Sequence, residues 1–241
     1  MPPPMATLPM ATITTPDPAL LHLLQLVSPA LPVGAFSYSE GLEVLQQQGA
    51  LASVDELEHW LLAELARGAV AIEAAALAEL MALIARLQGG EAAAAAELLE
   101  LDGWLLAQRE AAEVRAQQRQ MGQSLLQLLA DLQGAVHDHA PRGLAWPAAF
   151  AWAAGCARVR SPQVEQAYLY GWIANQISAA VRLVPLGPTE GQRLQWRLAP
   201  AIAAHAQQLA SADPRSLWSG GVGAGLAQLQ HAELYSRLFR S

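Results

Sequence analysis

Two histidines separated by a single residue, His137 and His139, are the closest histidine pair in the sequence. Imidazole nitrogens are good ligands for nickel and zinc, so this pair is the first candidate for a metal site. A complete site needs further ligands, and neither a nearby cysteine nor an H-E-x-x-H pattern supplies them. The simpler interpretation is a pair of solvated histidines in a loop over residues 134–142. We therefore expect no tight metal site, with weak nickel contact at this pair as the alternative.

The sequence offers no nucleophile in a catalytic setting. It has no G-x-S-x-G run, and Ser37 stands three residues ahead of Glu40, which is the spacing of a helix capping box. Cys156 lies in a strongly apolar helix predicted over residues 146–158, where a thiol is usually inert packing. All 14 basic residues are arginine, which excludes lysine-bearing phosphate loops and Schiff-base chemistry. We therefore expect a protein that is not itself an enzyme.

One arginine is distinguished by its surroundings. Arg182 interrupts an otherwise apolar stretch over residues 177–186. The simpler interpretation is that its guanidinium reaches solvent while its methylene groups cover apolar surface. The alternative is a binding role, because an arginine presents a planar and permanently charged donor group to a partner.

The most irregular run of the chain is residues 31–43, LPVGAFSYSEGLE, which we call the elbow. Prolines within and just before it disfavour helix, and its glycines permit tight turns. The spacing of Ser37 and Glu40 predicts that a new helix begins here. Phe36 and Tyr38 are therefore expected on a stiff bend just before that helix, where burial in the core is the simpler interpretation.

Composition and helix signals predict an all-α protein. Alanine and leucine dominate while β-branched and aromatic residues are sparse, which favours helix. Apolar positions recur at helical spacing, and the interruptions fall at proline, glycine and capping residues. We predict a single-domain bundle of about ten helices over residues 17–241. A disordered leader, rich in proline and threonine, is predicted over residues 1–16.

Some helix boundaries can be predicted residue by residue. Ser53 and Glu56 have the spacing of a second capping box, and Gly68 is a candidate break. Residues 109–131 are predicted to form a helix whose Glu and Arg residues support each other on an exposed face. The last helix is predicted to run from about Leu226 to Phe239.

Charge and hydropathy restrict the class of protein. The net charge of −7 and the pI of about 5.3 argue against a nucleic-acid binder, which normally carries a basic stripe. No uninterrupted apolar run could span a bilayer, and no signal-peptide pattern begins the sequence. A single cysteine excludes an intrachain disulfide. We expect a cytoplasmic protein that binds neither nucleic acid nor membrane, and the mean hydropathy of +0.21 suggests apolar surface for protein partners.

Three stretches together resemble one known family. The elbow resembles the N-terminal signature of UreF, the urease accessory protein family. Residues 180–187, AVRLVPLG, resemble its central motif, and residues 234–241, LYSRLFRS, resemble its C-terminal tail. These matches occur in the family's order and span nearly the whole chain after its first residues.

The resemblance implies a function and a set of partners. A UreF-like protein is a scaffold that joins UreD, also called UreH, and the GTPase UreG. The assembly inserts nickel into apo-urease in a GTP-dependent step. The family's fold is an all-α bundle that dimerises, so a homodimer is expected. No cofactor should be tightly bound, because nickel is handled by the complex.

The resemblance also implies a partner-binding surface formed by the elbow, the central motif and the tail. The family has a basic residue at the position of Arg182, and a finger-like action on the GTPase is the corresponding hypothesis. The residues expected in this surface are Phe36, Tyr38, Glu40, Arg182, Tyr235, Arg237, Phe239 and Arg240.

Two other classes of protein remain open. A metal-dependent hydrolase or metal carrier built around His137 and His139 would hold metal tightly and in stoichiometric amount. A structural oligomer with no role in nickel handling would self-associate without binding a GTPase.

Overall fold

Helices make up the regular structure of residues 17–133 and 140–241, the part of the chain that this computed structural model describes. This part contains ten α-helices, two 3-10 turns and no strand, which confirms the all-α prediction. The leader over residues 1–16 and the His137–His139 pair lie outside the described residues. The helices are α1 (Ala19–Leu26), α2 (Leu42–Gln47), α3 (Val54–Arg67), α4 (Ala69–Gln88), α5 (Ala93–Ala107), α6 (Ala112–Gln133), α7 (Trp146–Cys156), α8 (Gln163–Leu183), α9 (Pro188–Leu209) and α10 (Val222–His231).

The signals around α3 act as predicted. The Ser53 hydroxyl accepts a hydrogen bond from the Glu56 backbone N–H at 3.3 Å, and the Glu56 carboxylate accepts one from the Ser53 N–H at 3.0 Å. This reciprocal pair satisfies backbone donors that a helix start leaves unpaired. Gly68 ends α3, and the axis of α4 departs from that of α3 by 41°.

Helix α4 lies at the centre of the bundle, in contact with α3, α5, α7 and α8. Its first half is buried almost continuously, and alanine at positions 74–76 lets neighbouring helices approach closely. Helix α7 is likewise buried from Pro147 to Ala154, which confirms the apolar helix predicted there. The long helices α6 and α8 pack around this core and provide the platform on which the elbow rests.

The start of α7 is fixed by a close approach to α6. A side chain at Gly122 would place its Cβ 2.3 Å from the backbone oxygen of Leu144, so no larger residue fits at that position. Asp102 of α5 accepts a hydrogen bond from the Ala145 N–H at 2.8 Å and pairs with Arg119 of α6 at 2.7 Å. These contacts join α5, α6 and α7 at one point.

None of the described helices is individually long and apolar enough to cross a bilayer. The bent pair formed by α3 and α4 meets the same criteria of length and composition when the two are taken together.

Two predicted boundaries are wrong. Ser37 and Glu40 do not form a capping box, because α2 begins only at Leu42 and has no side-chain cap. The last helix ends at His231 rather than at Phe239, and residues 232–241 continue as a non-helical segment that we call the tail. Both departures lie where the elbow and the tail contact each other.

Candidate functional site

The elbow and the tail are adjacent although Ser39 and Ser241 are separated by 202 residues. The backbone oxygen of Ser241 accepts hydrogen bonds from the N–H groups of Ser39 and Glu40, at 2.7 and 3.1 Å. It also accepts one from the Ser39 hydroxyl at 2.8 Å. Next to these bonds, the Arg240 N–H donates to the Ser37 carbonyl at 2.8 Å. The tail thus pairs backbone donors of the bend just before α2.

Glu43, in the first turn of α2, binds the tail from its buried side. Its buried carboxylate accepts hydrogen bonds from the backbone N–H groups of Leu238 at 2.6 Å and Phe239 at 3.1 Å. The same carboxylate lies 3.3 Å from Nε2 of His231, the last residue of α10. Because Glu43 supplies acceptors for two consecutive backbone donors, the tail satisfies its N–H groups without being helical.

A second carboxylate, Glu113 of α6, anchors the same region. One of its oxygens lies 3.0 Å from Nδ1 of His231, and the other accepts from the Arg237 guanidinium at 2.7 Å. Partial burial raises the pKa of Glu113, but the hydrogen bonds from His231 and Arg237 outweigh it and hold this pKa below its ordinary value. Both ring nitrogens of His231 therefore face carboxylate oxygens, and the tail is anchored to α2 and α6.

Arg182, near the end of α8, joins the elbow to the tail. Its Nη1 donates to the Phe36 carbonyl at 3.1 Å. Its guanidinium carbon lies 4.4 Å from the centre of the Phe239 ring, which is the geometry of a cation–π contact. The three stretches that resemble UreF motifs therefore meet at one place.

The residues predicted to bind partners divide into an exposed set and a buried set. Tyr38, Glu40 and Phe239 are buried, with 8%, 6% and 4% of their surface exposed, and they support the bend from within. Their direct contact with a partner stays a prediction. Leu238, which sequence reasoning missed, is exposed beside the rest. The exposed set, which we call the elbow–tail surface, comprises Phe36, Arg182, Tyr235, Arg237, Leu238 and Arg240.

A buried ion cluster lies beneath the elbow, and sequence reasoning placed its central residue wrongly. Arg109 was predicted on an exposed helix face, but it precedes α6 and is only 4% exposed. Its Nε and Nη2 lie 2.8 and 2.7 Å from a Glu73 oxygen, and its Nη1 lies 3.6 Å from Glu40. The Arg115 guanidinium donates to the Arg109 and Glu110 carbonyls, each at 2.6 Å, and so fixes the turn that directs Arg109 inward.

Glu40 connects this cluster to the tail. Its φ of +49°, unusual for a residue with a side chain, accompanies a carboxylate that faces the interior. That carboxylate accepts hydrogen bonds from Gln117 at 2.8 Å and from the Trp172 indole at 3.2 Å. Gln117 in turn accepts from the Ser241 hydroxyl at 2.6 Å. The elbow, the tail and α6 are therefore linked by one buried network of hydrogen bonds.

The other carboxylates near Arg109 are strongly affected by burial. Burial raises the pKa of Glu73, against the opposing effect of Arg109, and the Tyr168 hydroxyl donates to Glu73 at 2.8 Å. Burial also raises the pKa of Tyr168, and the neighbouring Glu73 adds to that effect. Burial raises the pKa of Glu64, on α3, to about 7, while Arg109 opposes this rise. These residues form structural ion pairs in which two carboxylates, those of Glu40 and Glu73, lie around the one guanidinium of Arg109.

The remaining candidates for chemistry receive no support from the described residues. Within residues 17–133 and 140–241, no three His, Cys, Asp or Glu side chains are grouped so that they could hold a metal ion. The hypothesis of a hydrolase or carrier based on His137 and His139 concerns residues outside these ranges and stays a prediction. Cys156 is half-buried at the end of α7, and burial raises the pKa of its thiol, which disfavours a reactive thiolate.

Comparison with known proteins identifies what this chain is similar to. The family described as UreF matches residues 51–199. The chain is 42% identical to the Urease accessory protein UreF of Thermosynechococcus vestitus, over 93% of this chain and 99% of that protein. It is 40% identical to the protein of the same name from Trichormus variabilis, over 96% and 100% of the two chains. For the protein of that name from Alkalilimnicola ehrlichii the identity is 38%, again over 96% and 100%.

An all-helical chain with these relatives falls in the class of urease accessory proteins. Within that class, the chain belongs to the UreF family. The resemblance of the chain to the UreF family is thereby confirmed. An accessory role also agrees with the prediction that the chain is not itself an enzyme.

Proposed function

We propose that this protein is the scaffold that joins UreD (UreH) and the GTPase UreG for GTP-dependent nickel insertion into apo-urease. Nickel is the cargo of the assembled complex rather than a tightly bound cofactor of this chain. The observation that carries the proposal is the convergence of the elbow, Arg182 and the tail into one surface.

The chemistry of the elbow–tail surface supports binding to a protein. Phe36 is 69% exposed and Tyr235 is fully exposed, so most of the surface of both side chains is open to a partner. Aromatic residues and arginine are the types that most often anchor protein interfaces. The backbone beneath them is held by the hydrogen bonds to Glu43, Ser39 and Ser241, so little conformational freedom is lost on binding.

Arg182 is the residue in this surface to which we assign the most specific role. Its guanidinium is oriented by the Phe36 carbonyl and the Phe239 ring while the side chain remains exposed. An arginine has five N–H donors, so most of its donors stay available to an acidic group of a partner. The sharper form of the proposal is that Arg182 acts in trans on the phosphoryl groups held by UreG.

The proposal includes a homodimer and a cytoplasmic location, as the family resemblance implies. Light scattering of the purified full chain over a range of concentrations tests the first. Fractionation of cells that express the chain tests the second.

The principal experiment is co-expression of urease, UreD and UreG with the chain or with its variants. Replacing Tyr235 and Leu238 together by alanine removes exposed side chains only, so we expect an intact helical fold but little capture of UreD and UreG. Urease from these cells should contain much less nickel and show correspondingly low activity. Leu99→Ala on α5, another exposed leucine, is the matched control and should behave as wild type.

Arg182→Ala separates a positioning role from an action on the GTPase. Loss of complex formation assigns it to binding, whereas an intact complex with a slower GTPase rate assigns it to the phosphoryl step. Arg193→Ala, an exposed arginine on α9, is the control. If Arg182→Ala changes neither the GTPase rate nor urease activation, Arg182 has no role in the function proposed here.

A further inference from the structure

The last residue of α10, His231, has each of its ring nitrogens against a different carboxylate. Nδ1 lies 3.0 Å from an oxygen of Glu113, and Nε2 lies 3.3 Å from an oxygen of Glu43. The ring is fully buried, so water does not take the place of either carboxylate. An ionised carboxylate can only accept hydrogen bonds, and a neutral imidazole carries hydrogen on one nitrogen alone. Both contacts are therefore hydrogen bonds only when the ring carries a second proton.

The charged groups around this ring favour its protonated form. Helix α10 packs on α2 and α6, which supply Glu43 and Glu113, and α10 itself carries no other charged side chain. Arg237 of the tail binds the second oxygen of Glu113 at 2.7 Å, and Glu110 lies against Gly225 in the first half of α10. The pKa of Glu113 is held below its ordinary value, so this carboxylate is ionised near neutral pH. Among the described residues, the carboxylates that face the ring thus outnumber the cations beside it.

The same two carboxylates hold the tail. The Glu43 oxygen that faces Nε2 also accepts the hydrogen bond from the Phe239 N–H, and the other oxygen accepts from Leu238. If the ring loses its second proton, the lone pair of one ring nitrogen faces a carboxylate oxygen in a buried place, where the repulsion is poorly screened. The two groups can separate only if a carboxylate moves away from its position under the tail. Deprotonation of the ring therefore weakens the attachment of the tail.

We propose that attachment of the tail to the elbow is controlled by protonation, and that the tail is held only while both ring nitrogens of His231 carry hydrogen. The attached state then binds one proton more than the released state, so rising pH favours release. Histidine is the side chain whose charge ordinarily changes near neutral pH. The property belongs to this chain alone and does not depend on the scaffold function. Only its consequence for partners rests on the proposed function, because release of the tail separates Tyr235 and Leu238 from Arg182.

Two measurements on the purified full chain, made from about pH 6 to about pH 9, test the proposal. Nitrogen NMR of the His231 ring should find hydrogen on both nitrogens at the lower pH. Hydrogen exchange, corrected for the intrinsic pH dependence of the chemical step, should show that protection of the Leu238 and Phe239 amides falls by up to about tenfold per pH unit, the limit for one proton. The α4 amides should stay protected. A neutral ring while the tail is attached, or tail protection that does not change with pH, overturns the proposal.

Two variants assign the pH dependence to this contact. In Glu113→Gln the amide oxygen can still accept from Arg237 while the amide NH₂ donates to Nδ1, so a neutral ring satisfies both of its neighbours. The tail should then stay attached, and its protection should no longer depend on pH, which a merely structural role of Glu113 does not explain.

His231→Gln has no titrating ring, so its tail should be less protected than in the wild type at about pH 6 and show no further loss up to about pH 9. His59→Gln, exposed on α3, is the control and should keep the wild-type profile. A wild-type pH dependence in both Glu113→Gln and His231→Gln would refute the assignment to His231.

Discussion

Two of the ion clusters among the described residues have the same composition but lie in opposite surroundings. In each, one arginine lies between two glutamates. Arg109 is 2.7 Å from Glu73 and 3.6 Å from Glu40, and Arg86 is 2.8 Å from Glu97 and bonded to Glu91. The Arg109 side chain is 4% exposed, whereas that of Arg86 is 40% exposed.

The difference shows that burial, and not the distance between the charged groups, decides how much each ion pair contributes to the stability of the fold. Water screens the Arg86 cluster and would solvate each group if the pair were broken. The groups around Arg109 have lost that hydration, so each depends on the others. The buried cluster also includes Glu40 and is thereby part of the elbow. The exposed cluster joins only the end of α4 to the start of α5.

The largest effect is expected from Arg109→Leu. Removing this guanidinium leaves Glu40 and Glu73 buried without compensation, which should cost about 3–5 kcal/mol of unfolding free energy. Urea unfolding followed by circular dichroism measures it. Adding Glu40→Gln and Glu73→Gln to the same chain should recover part of the loss, because the uncompensated charges are then absent. A loss no larger than that of the exposed Arg193→Leu would remove the contrast between the two clusters.

Glu64 is a buried carboxylate that forms no ion pair with any described residue, and it provides a test by pH. Burial raises its folded pKa to about 7, whereas the unfolded value is near 4.5. Between these values the folded protein binds the proton more tightly, so stability should fall as pH rises from about 4.5 to 7, by at most about 3 kcal/mol.

Glu64→Gln should flatten this decline, and the comparison is made by urea unfolding of both proteins at several pH values. Glu113, whose pKa is lowered, contributes in the opposite sense, since its stabilisation is lost as pH falls below about 4.5. An identical pH profile in the two proteins would show that Glu64 does not titrate in this window.

Glu43→Gln tests a buried carboxylate that is satisfied by backbone donors rather than by a guanidinium. The amide that replaces one oxygen cannot accept a hydrogen bond, so the tail should lose about 2 kcal/mol of local stability. Hydrogen exchange at the Leu238 and Phe239 amides should accelerate while the α4 amides stay protected. Glu233→Gln, exposed in the tail, is the control. Unchanged exchange at both amides would contradict the anchoring role.

The smallest effect is expected from Arg86→Ala. This guanidinium lies in solvent, so the shift in the urea midpoint should be too small to separate from experimental error. A clear destabilisation would mean that exposure does not separate the two clusters.

Local signals were sufficient where neighbouring residues satisfy each other. The Ser53–Glu56 capping box and the break at Gly68 depend only on residues a few positions apart, and both were predicted correctly. The apolar run of α7 was also recognised, because a helix buried on nearly all sides needs no periodic polar face.

Local signals gave wrong helix boundaries where a residue distant in the sequence forms the hydrogen bonds that a local pattern assigned to a neighbour. Glu40 has the spacing of a capping residue, but Gln117 and Trp172, 77 and 132 positions away, bind its carboxylate instead. The helical pattern after His231 is overridden by Glu43, which accepts the tail's backbone donors. The burial of Arg109 leaves no local signature, since the same residues suit an exposed face. The convergence of the elbow, Arg182 and the tail could be expected only from the family resemblance.

The hydrogen bonds from Ser39 to Ser241 also fix an order of events during synthesis. At roughly 5–20 residues per second, a ribosome needs on the order of 10–40 s to add the 202 residues that separate them. For that time the nascent elbow is without the tail that pairs its backbone, while the helices in between can already pack. The elbow–tail surface is therefore completed only after the helices between the elbow and the tail have been synthesised. A chain truncated before residue 237 therefore retains α1 to α10 but lacks the tail groups that bind Ser39 and Glu43.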